Sequence, residues 1–73
     1  MNYYVITYSY ADNGNNIYGV FANYENTCKE FKRIVNTKRA DCVSCGYKIY
    51  ENNDTCFVSE YISYRIIPTT LMG

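Results

Sequence analysis

The hydrophobic period of this chain changes twice, from two to helical and back, and that switch limits the folds open to it. Residues 3–10, "YYVITYSY", alternate and are rich in β-branched and aromatic side chains, so they read as a strand. Residues 17–22, "IYGVFA", read as a second strand, joined to the first through the turn-forming run "ADNGNN" at 11–16. From Asn26 to Lys38 the spacing becomes helical, with Cys28, Phe31, Ile34 and Val35 on one side. Thr27 followed by Glu30 matches a capping box, and Glu25 near the start with Lys38 and Arg39 near the end suits a helix dipole. Alternation resumes at 45–50, "CGYKIY", and after a turn at "ENND" runs through 56–67, "CFVSEYISYRII", until Pro68.

Strand, strand, helix, strand, strand implies an α+β fold of ββαββ order: a single small domain over residues 1–73, with one helix on one face of a four-stranded, mostly antiparallel sheet. The order of elements resembles the β-grasp folds, and a four-stranded antiparallel meander satisfies it nearly as well. Resemblance of element order implies nothing about function. A chain of 73 residues buries only about 60% of the surface it exposes when unfolded, so a metal, a homodimer contact or a partner would add stability.

Seven positive charges balance seven negative ones, which gives no global attraction to nucleic acid or membrane. No apolar run nears the length of a membrane span, and "MNYYVITYSY" lacks the positive start of a signal peptide. The expected setting is cytoplasmic, with the four cysteines reduced or metal-bound. Ten tyrosines, with abundant Asn and Ile, suit an A/T-rich genome of the kind common in phages and mobile elements.

Residues 42–47, "CVSCGY", resemble the metal knuckle of rubredoxins and zinc ribbons, in which C-x-x-C-G-aromatic curls two thiolates around one ion. That resemblance implies a site made of Cys28, Cys42, Cys45 and Cys56, because the chain has no histidine and no second knuckle. The knuckle requires a turn at 42–46, since residues three apart on a strand point to opposite faces. The competing reading is that Cys28 and Cys45 are small core residues. A thioredoxin-like redox role needs the first thiol at a helix N-terminus, and here the motif follows the helix. No cofactor is expected. Without histidine there is no Ser/His or Cys/His pair, and no phosphate loop is present, so the chain reads as a non-enzyme.

One helix covers one face of such a sheet. Alternation assigns Ile6, Tyr8, Ile17 or Phe21, Tyr47, Ile49, Val58, Ile62 and Ile66 to the covered face. The open face is expected to carry Tyr3, Thr7, Ser9, Tyr18, Lys48, Tyr50, Ser59, Tyr61, Ser63 and Arg65, with little aliphatic content. A Tyr/Ser/Arg surface suits protein recognition, because its rings bury large area at low entropic cost. The primary reading is therefore a protein-interaction module using Tyr3, Tyr18, Tyr50, Tyr61 and Arg65. Its partner is a second copy or a host factor, in the manner of a phage or mobile-element inhibitor or adaptor. Such tyrosines also serve as plain scaffold on a half-solvated sheet. The alternative is nucleic-acid binding through Lys29, Lys32, Arg33, Lys38 and Arg39, although a net charge of zero is far from the usual basic signature.

Overall fold

The computed structural model describes residues 2–10 and 14–70, Thr70 through its backbone alone. The chain forms β1 (Asn2–Tyr10), β2 (Asn16–Phe21), α1 (Tyr24–Cys45), β3 (Ile49–Asn52), β4 (Cys56–Ser59) and β5 (Ile62–Thr70). The fold is α+β, with one helix and one antiparallel sheet of order β2-β1-β5-β4-β3. The first pair and the last three strands are joined through β1 and β5, and α1 connects the two edge strands. Residues 11–13 of the first expected turn, and 71–73 of the expected tail, lie outside the described residues.

The described residues form five strands rather than four because 56–67 is not one strand. Ser59 is buried, and its hydroxyl accepts from the Ile62 N–H at 3.0 Å and donates to the Ile62 carbonyl at 2.7 Å. These bonds close a turn over Glu60 and Tyr61, so the phase of alternation flips. Phe57 and Ser59 therefore join Ile62, Tyr64 and Ile66 beneath the helix, and Val58 goes to the other face. The expected placement of Val58 in the core and of Ser59 on the open face is thereby corrected.

Pro68 does not end β5. The Ile66 N–H points towards β4 and donates to the Thr55 carbonyl. Residue 68 has the same orientation, but it lies beyond the start of β4, where no strand requires an N–H.

The helix is longer than its sequence signals indicate. Asn23, extended at φ −124° and ψ 127°, caps it by accepting from the Asn26 N–H at 3.1 Å. Thr27 is instead buried and donates its hydroxyl to the Asn23 carbonyl, so no capping box forms. Nothing after Lys38 breaks the helix until Gly46, whose φ of 79° is left-handed. There the Gly46 and Tyr47 N–H groups donate to the carbonyls of Val43 and Cys42, a Schellman closure. The 22 residues of α1 span about 33 Å.

Thr27, Phe31, Ile34, Val35 and Cys42 form the buried stripe of α1. They pack on Ile6, Phe57, Ile62, Tyr64 and Ile66, with Tyr4, Tyr8, Phe21, Cys28 and Ile49 at the margin. Phe31 and Phe57 are the largest fully buried side chains, each contributing about 2–3 kcal/mol by area. Of the two candidates on β2, Phe21 faces in and Ile17 faces out. Among the described residues no helix is long and apolar enough to cross a membrane.

Candidate functional site

The sheet leaves one broad face uncovered, and the strand register defines its rows. Val20, Val5 and Ile67 lie side by side across β2, β1 and β5. The next row holds Ile17, Thr7, Arg65 and Cys56, and the one after it Ser9, Ser63, Val58 and Glu51. Ile17, Val20 and Ile67 are 68%, 58% and 45% exposed. This face is thus more aliphatic than the Tyr/Ser/Arg surface expected. Val5, Val20 and Ile67 share the parity of Thr7, Tyr18 and Arg65 and so belong to the open face by alternation, although they were not counted there; Ile17 joins them because the bulge at Tyr18 resets the phase of β2.

Cys56 donates its thiol to a Glu51 carboxylate oxygen at 3.1 Å on this face. Burial first, and the Glu51 carboxylate second, push its thiol above the ordinary range, against a smaller opposing effect of Arg65. Cys56 is therefore held as a thiol, the poorly nucleophilic form.

The five residues expected to form one binding face are dispersed. Tyr3 and Arg65 do lie on the open face. Tyr18 falls at the β2 bulge, where Ile6 pairs with Gly19 and Thr7 with Ile17. From there it reaches the helix, donating to Glu30 Oε1 at 2.7 Å and accepting from Arg33 Nη2 at 3.2 Å. The bond to Glu30 raises the Tyr18 hydroxyl, and Arg33, which also ion-pairs with Glu30, holds that carboxylate low. Tyr50 sits at the register break of β3, and Tyr61 in the β4–β5 turn.

Tyr61 belongs to a second surface, at the far end of α1. Its ring stacks on Tyr47 with centroids 5.3 Å apart and planes at 11°. Tyr10 meets Tyr61 edge-on at 5.4 Å, Tyr8 meets Tyr10 at 6.0 Å, and Tyr8 lies 5.8 Å from Tyr64. A cleft of about 340 Å³ opens beside the stacked pair, between Lys38, Asp41 and Cys45 on the helix and Tyr47, Tyr61 and Ile62 opposite, with Cys42 also on its lining. Tyr10 and Tyr47 were not among the expected binding residues; strand pairing and the helix end bring them together, and no local motif announces either.

The cysteines do not converge. Residues 42–45 are the last turn of a helix, neither the knuckle nor a strand. Cys28 and Cys42 are separated by fourteen residues of one helix, about 21 Å. Cys56 lies beyond the sheet on the open face. The four-cysteine shell of Cys28, Cys42, Cys45 and Cys56 is therefore not assembled, and the described residues hold no cluster of three or more metal-ligating side chains. Cys45, expected in the core, is exposed, whereas Cys42 is buried.

The basic helix is also divided. Lys29, Lys32 and Arg39 are exposed, Arg33 is tied to Glu30 and Tyr18, and Lys38 is half-buried at the cleft. Lys38 and Arg39 do not close the helix, whose last turn carries no cation.

No known protein family matches this chain, and no curated protein or solved structure matches it either.

Proposed function

We propose that this chain is a non-enzymatic protein-interaction module that works through its uncovered sheet face, and that the partner on that face is a second copy. The observation that carries this reading is the row Val20–Val5–Ile67 on three adjacent strands. The row is self-complementary. A two-fold axis along β1 lays Val5 over its own equivalent and Val20 over Ile67 of the second copy. The same operation sets Ile17 against the aliphatic stem of Arg65. Two sheets packed about 10 Å apart in this way form a four-layer α/β/β/α dimer with an isologous interface. Full burial of each exposed aliphatic side chain adds about 1.5–3 kcal/mol before the cost of association. A small chain that buries limited area by itself gains most from such a contact. The absence of histidine from the sequence and the raised Cys56 thiol support a role in binding rather than catalysis.

Sedimentation velocity over a range of concentrations tests the reading. The mass is expected to rise from 8.5 kDa towards twice that value, and Ile67→Asp to return it to the monomer with an unchanged circular dichroism spectrum. A wild-type chain that stays monomeric at millimolar concentration contradicts self-association. The host-factor form of the reading then requires a foreign protein that Ile67→Asp releases.

A further inference from the structure

We infer that the cleft at the end of α1 is a binding site for a guanidinium group, the arginine side chain of a polypeptide partner. It lies on the helix side of the sheet, so this inference is independent of the dimer face. Three features of the cleft favour a cation. The stacked rings of Tyr47 and Tyr61 border it, and aromatic faces are electronegative. Asp41, an exposed carboxylate residue, is part of its lining. The helix ends here with its negative pole, and the last turn contains no Lys or Arg to offset it. A planar guanidinium answers all three at once, because it stacks on a tyrosine ring while donating two N–H groups to a carboxylate. At about 340 Å³ the cleft is at the lower end of small-ligand sites, a size that admits one side chain.

Lys38 also lines the cleft, and its role fixes the sign of the test. Among the described residues the one ion pair is Arg33–Glu30, so Lys38 does not neutralise Asp41 by direct contact. Its ammonium repels an incoming guanidinium from one turn away. Removing that charge therefore strengthens binding, whereas removing Asp41 weakens it.

The experiment is an NMR titration of the isotope-labelled full chain with N-acetyl-arginine methylamide, run in parallel with the citrulline analogue, which has nearly the same shape and no charge. The arginine probe is expected to shift the Tyr47, Tyr61 and Asp41 signals saturably with a millimolar Kd, and the citrulline probe to bind about tenfold more weakly. Asp41→Asn is expected to lose most of the affinity and Lys38→Gln to gain about two- to fivefold. Both residues lie outside the buried core, so the fold is retained. Equal binding of the two probes, no saturable shift up to about 50 mM, or weaker binding by Lys38→Gln overturns the assignment.

Discussion

Lys48 and Glu60 are locked together by a reciprocal pair of hydrogen bonds. The Lys48 N–H donates to a Glu60 carboxylate oxygen at 2.8 Å, and the Glu60 N–H donates to the Lys48 carbonyl at 2.9 Å. This bracket ties the segment after α1 to the β4–β5 turn, and it is what sets Tyr47 against Tyr61.

Glu60→Ala removes one half of the bracket. The expected loss is about 1 kcal/mol, reduced from that of a buried charged hydrogen bond by the exposure of Glu60. Urea denaturation measures the loss, and ring-to-ring NOEs between Tyr47 and Tyr61 are expected to weaken. Glu60→Gln keeps an acceptor and should retain both properties in large part.

Gly46 closes α1 from the left-handed region, and an added Cβ would meet nothing within 4 Å. The cost of Gly46→Ala is thus one of backbone conformation, about 1 kcal/mol. For a chain this size that lowers Tm by about 4–8 °C. Gly46→Asn, which tolerates the same φ, is expected to fall between the two in a thermal melt.

The thiols should react in an order set by burial. Cys45 is exposed at the end of α1, whereas Cys42 is 1% exposed in the core. Iodoacetamide labelling followed by mass spectrometry is expected to modify Cys45 first and Cys42 only on unfolding. Cys42→Ser places a hydroxyl in the core and is expected to destabilise the fold by about 1–3 kcal/mol, while Cys45→Ser is nearly neutral.

Tyr64 is buried beneath the helix, and desolvation, with smaller effects of Tyr10 and Tyr8, pushes its hydroxyl up from 10.0 to about 12. The folded state therefore holds this proton more tightly than the unfolded chain. The associated stability is complete below pH 10 and is lost as pH rises through about 12. Absorbance titration should show the Tyr64 ionisation as the last tyrosine step, coincident with alkaline unfolding, and Tyr64→Phe should remove that step and delay the unfolding.

Element types were largely legible in the sequence. The period switch at residues 22–28 identified the helix, and Phe31, Ile34 and Val35 do form its buried stripe. The far end of α1 was not legible, because Cys42 and Cys45 suggested a metal knuckle and, after Arg39 and Ala40, residues 41–45 are only middling helix formers with no breaker among them. One signal was available for the fifth strand. Phe57 and Ile62 have opposite parity, so a single straight strand cannot bury both, and a turn between them is required. The open face was the least legible part. Alternation fixes that Val5 and Ile67 face out, but the bulge at Tyr18 that turns Ile17 outward and the pairing of β1 with β5 that sets Val5 beside Ile67 come from tertiary packing rather than local preference.

The reading that two copies meet over β1 is tested most directly by complementation between two single substitutions. Val20→Lys alone and Ile67→Asp alone each place charge against an aliphatic side chain at both ends of the symmetric interface, so each is expected to sediment as a monomer. In a one-to-one mixture, a two-fold along β1 sets the introduced ammonium of one variant on the introduced carboxylate of the other and keeps one native Ile67–Val20 contact. The prediction is a heterodimer of the two variants at concentrations where neither dimerises alone. A mixture that remains monomeric, or single variants that dimerise as well as the wild type, contradicts the account.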